Sequence, residues 1–199
     1  MLIRVTIQGV SPLLMHRFNG DAWNSLQNKG RRAHTGETLS PREQAEAFAY
    51  RLDDGRFYIP GAAMFKAIVQ AGKLHKHGKN KLTTNATSLI PGALWMHEDS
   101  IIAIPLEGVT DFEVDSRKII NPNTQQPAIC HRPIFYKWRA TFRICVDEDF
   151  FSERQVRELI DTAGKRIGIC AFRPEKKGPF GRFVVKEWQV EIEAQPIAA

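Results

Sequence analysis

The chain has 199 residues, of which 43% are hydrophobic and 25% are charged. A chain of this length and composition can bury a full hydrophobic core, which excludes wholesale disorder. No apolar run approaches the roughly 20 residues of a membrane-spanning helix, and the N-terminal residues alternate in polarity, unlike a signal peptide. The sequence therefore predicts a cytoplasmic protein that binds no membrane.

The cysteines argue against a metal site. Cys130, Cys145 and Cys170 are widely spaced and follow no CxxC pattern. Structural zinc sites bring their ligands in closely spaced pairs, so this spacing does not fit one. Disulfides are also rare in the cytoplasm. We therefore predict reduced, buried thiols, no bound metal and no cofactor.

The net charge of +6 is unevenly distributed along the chain. Residues 66–81, 117–143 and 165–186 are rich in Lys and Arg, whereas acids gather at 98–115 and 147–161. Segregation of this kind predicts a basic face on the folded protein, which is typical of a protein that binds a polyanion. Ordinary solvated surface charge is the alternative, and composition does not separate the two.

A strand, a polar insertion and a basic loop are predicted in the N-terminal half. Residues 2–10 alternate apolar and polar side chains, which is typical of a strand. Residues 17–39 are polar and aperiodic, so we expect an insertion there. Residues 73–88 are polar and basic without a period, and we predict a flexible loop.

Three segments have the pattern of helices. Ser40 and Glu43 can form a capping box, and Ser152 and Gln155 can form another. Residues 59–73 carry apolar side chains at helical spacing. Glycine suits the left-handed conformation that often follows a last helical turn. The second and third helices are therefore expected to end at Gly72 and Gly164.

Residues 134–146 predict one long strand with two unlike faces. One face carries Lys137, Arg139 and Arg143 together with Phe135, and the other face is apolar. Such alternation indicates one buried face and one wet, basic face. With the helix and strands that follow, this pattern predicts an α+β fold. We expect a ferredoxin-like (RRM-like) antiparallel sheet with helices on one face, plus insertions.

Acidic side chains alternate along another predicted strand, at Asp111, Glu113 and Asp115. This stripe can bind a divalent ion, or it can meet a basic surface on a neighbouring subunit. A chain with separate acidic and basic faces can stack head to tail, which yields open filaments. We therefore expect self-association.

The stretch 167–185, IGICAFRPEKKGPFGRFVV, predicts a basic loop between two strands. Its glycines allow positive φ and close backbone approach, so amides there can face an anion. Its cations can contact phosphates, and Phe180 can stack on a base. Alternatively, Phe180 packs in the core and the lysines are solvated. The predicted nucleic-acid contacts are Arg173, Lys176, Lys177, Gly178, Phe180, Gly181 and Arg182 in this loop, with Lys73, Lys76, Lys79, Lys137, Arg139 and Arg143 elsewhere.

Three stretches resemble the repeat-associated mysterious protein (RAMP) superfamily. They are GVSPLLMHR after the first strand, YIPGAAMFKAIV at the second helix and GKRIGICAFRPEKKGPFGRF before the last strand. Ferredoxin-like members of that superfamily include the backbone and processing subunits of CRISPR complexes, and similar proteins occur in bacteriophages and mobile elements. The resemblance implies one RAMP-like domain over residues 1–199, in a bacterial cell or a phage-infected host.

The resemblance also makes the histidines candidate catalytic residues, because some RAMP proteins cleave RNA with a histidine general base. Such a site needs a histidine near the glycine-rich loop and a Lys or Tyr to stabilise the developing charge. His16 and His131 can be placed in that way. The sequence does not choose between them.

We therefore predict a non-catalytic protein that binds single-stranded RNA or DNA by its phosphate backbone. Its other expected partners are further copies of itself or other complex subunits. Two alternatives stay open: a metal-independent RAMP-type endoribonuclease, and a phage factor that binds a host protein complex. The sequence does not separate RNA from DNA.

Overall fold

The structure is a computed structural model that describes residues 1–17, 40–120, 125 and 127–191. The insertion predicted at 17–39 therefore lies outside the described residues, apart from Arg17. Among the helices described, none is both long and apolar enough to cross a membrane.

The described residues form strands and α-helices, which are numbered here in chain order. The strands are β1 (Leu2–Gly9), β2 (Leu13–Leu14), β3 (Tyr58–Pro60), β4 (Lys76–His77), β5 (Asn80–Lys81), β6 (Leu94–Met96), β7 (Ala103–Pro105), β8 (Glu113–Ile120), β9 (Pro127–Phe135), β10 (Arg139–Val146) and β11 (Phe183–Glu191). The helices are α1 (Pro41–Ala47), α2 (Gly61–Ala71), α3 (Ile90–Ala93), α4 (Glu98–Ile101) and α5 (Glu153–Thr162). A π-helical turn, Ala163–Ile167, follows α5, and 3₁₀ turns lie at Gly72–Leu74 and Pro174–Lys176.

The central sheet has four antiparallel strands in the order β11–β1–β10–β6. Strands β1, β6, β10 and β11, with α2 and α5, follow one another as β-α-β-β-α-β, which is ferredoxin-like connectivity. Ile3, Val5 and Ile7 on β1 are fully buried in one core with apolar residues of α2 and α5. The predicted ferredoxin-like α+β fold is confirmed.

A second sheet has the strand order β2–β9–β8, and its strand β9 leads directly into β10 of the central sheet. The prediction of one strand over 134–146 is wrong, because β9 ends at Phe135 and β10 begins at Arg139 in the other sheet. Trp138 anchors the turn between them: it is 1% exposed, and its Nε1 donates to Ser11 O at 2.9 Å. The predicted alternation holds along β10 and fails before it, since Phe135 is buried and Tyr136 is exposed.

Both predicted capping boxes are present. Ser40 N donates to Glu43 Oε2 at 2.8 Å, and Ser152 N donates to Gln155 Oε1 at 2.9 Å. A capping box depends only on residues three positions apart, so it can be predicted from the sequence without knowledge of the fold.

The predicted end of the second helix at Gly72 is confirmed, because Gly72 is the C-cap of α2, but the left-handed conformation expected there and the predicted end at Gly164 are wrong. Gly72 has a right-handed φ of −56°, and α5 continues through the π-helical turn to Gly168, whose φ is +72°. Gly164 is needed for close packing instead, because a Cβ there would lie 2.2 Å from Phe183 O.

The segment 73–88, predicted as a flexible loop, contains regular structure. Strands β4 and β5 pair in a short hairpin after the first 3₁₀ turn. His75 Nε2 lies 2.8 Å from Thr162 Oγ1 at the end of α5, and the His77 ring stacks on Phe150 at 4.6 Å. These contacts hold the hairpin against the helical side of the domain.

Candidate nucleic-acid interface

The loop between the π-helical turn and β11, residues 168–182, has an unusual backbone. Five of its residues have positive φ: Gly168, Cys170, Phe172, Lys177 and Gly181, at 72°, 61°, 48°, 60° and 69°. Three of the five are not glycine, and such conformations cost roughly 1–3 kcal/mol each. Strained residues of this kind cluster at functional sites, where the surrounding structure holds them in place.

The backbone amides of Gly178 and Gly181 do not form an anion cradle. Gly181 N donates to Pro12 O at 2.8 Å, and Phe180 N donates to Phe172 O at 3.2 Å. The amides of Lys176, Lys177 and Gly178 donate to Arg173 O, Pro174 O and Arg173 O, at 2.8, 2.9 and 3.0 Å. An amide that already donates is not available to a phosphate, so the predicted cradle of Gly178 and Gly181 amides is wrong.

Gly178 and Gly181 serve the loop's own packing. Only Gly181 of the two has positive φ. A Cβ at Gly178 would lie 1.8 Å from Phe172 O, and one at Gly181 would lie 2.0 Å from Ile169 O. Both positions therefore exclude a side chain because the loop backbone crosses itself there.

Phe180 is not exposed for base stacking. It is 7% exposed and packs with Leu14 and Ile134 in a small apolar cluster. The Arg117 guanidinium lies over its ring, 4.8 Å from the centroid. The prediction that Phe180 stacks on a base is wrong, and the alternative of a packed Phe180 is the one observed.

Phe172 takes the exposed position that the sequence analysis gave to Phe180. It is 39% exposed, and its ring meets the Phe180 ring edge-on at 6.0 Å. The Arg117 guanidinium lies over the Phe172 ring at 5.9 Å from the centroid, and the exposed part of the ring is suited to stack on a base. No pattern in the sequence marks Phe172 out from its neighbours.

The cations of the loop divide into free and paired side chains. Lys176 and Lys177 are exposed and form no ion pair among the described residues. Arg182 is exposed, and its Nη1 donates to Lys165 O at 3.2 Å. Arg173 is occupied instead: it is 17% exposed, pairs with Glu175 at 2.5 Å and donates to Cys170 O at 2.9 Å. A phosphate at Arg173 would therefore have to compete with the Glu175 carboxylate.

Two further cations stand beside the loop and were not singled out from the sequence. Lys165 and Arg166, in the π-helical turn, are exposed and form no ion pair within the described part of the chain. The sequence analysis ended the third helix at Gly164 and so did not place these two residues on a helical turn. In the structure both side chains are exposed, and Arg182 contacts the backbone of Lys165. We call Lys165, Arg166, Lys176, Lys177 and Arg182 the basic loop surface.

The hairpin cations are partly free. Lys76 and Lys79 are exposed without an ion pair to any described residue, whereas Lys73 Nζ donates to Asn85 Oδ1 at 3.1 Å. The contact of His75 with Thr162 brings the hairpin to the residue that precedes the π-helical turn. The hairpin is therefore fixed next to the end of α5.

The open face of the central sheet is not basic. Arg139 pairs with Glu107 at 2.9 Å and Glu187 at 2.5 Å. The hydrogen bond from Arg139 holds the pKa of Glu187 below its ordinary value. Arg143 pairs with Asp99 and with Glu191 in the same way. The predicted basic face of β10 is wrong, because acids from other elements neutralise it; Lys137, in the turn before β10, remains exposed.

Two of the three acids of the predicted stripe, Asp111 and Asp115, are neutralised by arginines. Asp111 pairs with Arg42, and Asp115 accepts from Arg117 Nε at 2.8 Å. Arg132 Nη2 lies 3.8 Å from the same Asp115 carboxylate. Across the described ranges, no three His, Cys, Asp or Glu side chains are grouped to hold a metal ion.

A cleft of about 270 Å³ lies behind the 168–182 loop. Its lining residues are His16, Tyr50, Ala63, Lys66, Cys170, Ala171 and Arg173. His16 comes from the first of the RAMP-like stretches, Lys66 from the second and Cys170 from the third. Ala171 N donates to Leu14 O at 2.9 Å, which fixes the loop to the first stretch. The three stretches that carry the resemblance thus meet at one place.

His16 is brought to the loop, and His131 is not among the residues that line the cleft. The His16 ring stacks on Phe48 at 4.6 Å, and burial, then the charge of Arg132, lowers its pKa. His131 Nδ1 instead lies 2.7 Å from Ser116 Oγ on the β8–β9 hairpin. Burial raises the pKa of the Cys170 thiol to about 12, so it stays protonated.

The comparisons with known proteins are consistent with this geometry. No protein-family profile and no curated protein matches the sequence. A chain in the cryo-EM structure of the type III-B Cmr-beta bound to cognate target RNA is similar at a TM-score of 0.56 and 13% identity. This chain has the fold of that Cmr-beta chain. The likeness covers 94% of the present chain but 59% of the Cmr-beta chain.

A second solved structure is the crystal structure of Cmr6 from Pyrococcus furiosus, at a TM-score of 0.44 and 11% identity, covering 94% of this chain and 98% of that one. At such low identity a likeness establishes the fold alone, and for this purpose we rely on the Cmr-beta chain. The likeness to the Cmr-beta chain agrees with the ferredoxin-like fold that the resemblance to RAMP proteins implied.

Proposed function

We propose that this chain is a non-catalytic subunit that binds single-stranded RNA through side chains of the 168–182 loop. The observation that carries the proposal is the loop itself, which holds free cations and an exposed Phe172 on a backbone kept at positive φ. Most of its backbone amides donate to nearby carbonyl groups, which supports a loop rigid enough to present these side chains to a ligand. Cations supply affinity for the phosphate backbone, and the aromatic ring stacks on a base.

RNA, not DNA, is the proposed ligand because the Cmr-beta structure is of a complex bound to cognate target RNA. This chain spans 59% of the length of the similar Cmr-beta chain. We propose that it acts with other subunits or with further copies of itself. The hairpin residues Lys76 and Lys79 extend the basic loop surface around the end of α5, along which a strand can run.

We expect the double variant Lys176→Ala/Lys177→Ala to bind single-stranded RNA about ten-fold more weakly than the wild type, because two exposed ion pairs to phosphates are lost. Each lost phosphate contact on a single strand also flattens the salt dependence, so the slope of log K against log salt becomes shallower by about 1.4. Fluorescence anisotropy with labelled polyuridine RNA and its DNA counterpart, over a series of salt concentrations, measures both quantities.

A matched control removes the same charge elsewhere. Arg4 and Arg154 are exposed cations already paired with Glu191 and Glu158. The variant Arg4→Ala/Arg154→Ala should therefore bind RNA as the wild type does. If both double variants lost the same RNA affinity, overall charge alone would explain the binding, and this would contradict the proposal. No affinity of the wild type for bare RNA or DNA would favour the phage factor that binds a host protein complex.

One observation favours a second function, a metal-independent endoribonuclease. His16, Tyr50 and Lys66 line the same cleft beside the glycine-rich loop, which is the combination that such a site requires. Because burial lowers the pKa of His16, its ring is neutral at pH 7 and fit to act as a base.

The cleavage hypothesis has a direct test. If the chain is an endoribonuclease, the wild type cuts labelled RNA in the presence of EDTA, and His16→Ala loses at least about 100-fold in rate. His131→Ala serves as the matched control, and it should cleave at the wild-type rate. Intact RNA after incubation with folded wild type would exclude this function and leave the binding proposal in place.

A further inference from the structure

The cleft behind the 168–182 loop presents donors that nothing in the described structure uses. No described residue hydrogen-bonds either ring nitrogen of His16 or pairs with Lys66. Among the described residues, the Tyr50 hydroxyl donates to His16 O alone, at the long distance of 3.5 Å. Imidazole, ammonium and phenol groups can each donate to an oxyanion. The cleft thus gathers three kinds of donor in a space of about 270 Å³.

The charge around the cleft is positive. No acid is among its lining residues, while Lys66 and Arg173 are. Arg17 and Arg132 lie close enough to influence the pKa values of Tyr50 and His16. Arg173 is paired with Glu175, so Lys66 is the lining cation that has no acidic partner among the described residues. An excess of positive charge remains in the cleft, which suits an anion.

Two properties favour a phosphomonoester over an internal phosphodiester. A monoester carries a charge of about −1.5 to −2 at pH 7 and three acceptor oxygens, whereas a diester carries one charge and continues into the chain on both sides. The small volume of about 270 Å³ and the three donor groups of His16, Tyr50 and Lys66 match the monoester. The cleft also adjoins the loop that we propose to hold the strand, since Cys170, Ala171 and Arg173 belong to both.

We propose that this cleft binds a terminal phosphate of a nucleic-acid strand, held by Lys66, Tyr50 and His16. This inference rests on the proposed function, because the loop delivers the strand whose end the cleft takes. A free mononucleotide offers the same chemical group, so the two sources must be separated by experiment.

The test compares three versions of one labelled RNA, with a 5′-phosphate, with a 3′-phosphate and with hydroxyl groups at both ends. We expect one phosphorylated strand to bind about ten-fold more tightly than the hydroxyl-ended strand, since hydrogen bonds between charged groups are strong. Lys66→Ala should abolish that difference and leave the affinity for the hydroxyl-ended strand unchanged. Lys118→Ala, which removes an exposed cation from the β8–β9 hairpin, should keep the difference.

The outcomes separate this inference from the proposed function. If all three strands bind equally, or if Lys66→Ala keeps the preference, the terminal-phosphate site is wrong while RNA binding stands. If no strand binds, the proposed function is wrong, and calorimetry with uridine 5′-monophosphate and uridine then decides about the cleft. Nucleotide binding that depends on Lys66 supports a phosphomonoester site for free nucleotides, and no nucleotide binding overturns it.

Discussion

Phe180→Ala should lower the free energy of unfolding by about 3 kcal/mol, the low end for a buried phenylalanine in a small cluster. Its ring packs on Leu14 and Ile134, and Arg117 covers one of its faces. Removal leaves a cavity between the loop and the second sheet, which the loop cannot close because its amides are fixed to neighbouring carbonyls. Chemical denaturation followed by circular dichroism measures this loss.

In contrast to Phe180→Ala, Phe172→Ala should weaken RNA binding and have little effect on stability. Its side chain is 39% exposed, so its loss should change stability by less than about 1 kcal/mol. RNA binding should weaken by roughly 1–3 kcal/mol, the range for one base stacked on an aromatic ring. The two variants remove the same group eight positions apart, and each controls the other. A stable Phe180→Ala protein that no longer binds RNA would restore Phe180 as the stacking residue.

Local patterns were sufficient for the secondary structure that depends on neighbouring residues. The capping boxes at Ser40 and Ser152 formed as predicted, and β10 alternates as its sequence does. One sequence signal was available and was missed: Phe135 shares its predicted face with Lys137. An apolar and a charged residue on one face indicate a break in the strand, and the chain does change sheets between them.

The site was harder to predict because the environment of its residues depends on partners that are distant in the chain. Arg139 and Arg143 look free in the sequence, yet their acidic partners come from β11 and from segments more than thirty residues earlier. Phe180 is buried by Leu14, which lies in the first RAMP-like stretch. Charge and hydrophobicity along one segment do not identify such partners. The sequence therefore identified Lys176 and Lys177 as exposed cations but did not reveal that Arg139 and Arg143 are paired.

Gly181→Ala should lower the free energy of unfolding by about 3 kcal/mol, through two effects that add. The residue has a φ of +69°, which strains any L side chain. Its Cβ would also lie 2.0 Å from Ile169 O, so the backbone must move. The movement would break the bonds of Ile169 N to Gly181 O and of Gly181 N to Pro12 O, which close the loop. RNA affinity should fall with stability, because the basic loop surface loses its support.

Two other glycines separate these effects. Gly55 has a φ of +87° with nothing near its Cβ position, so Gly55→Ala should cost only the conformational strain, about 1 kcal/mol. Gly92 has open space and no positive φ, and Gly92→Ala should be neutral within about 0.5 kcal/mol. Urea unfolding of all three variants gives the comparison. If Gly181→Ala costs no more than Gly55→Ala, the loop yields to a side chain, and a rigid platform for Phe172 and its neighbouring cations is no longer supported.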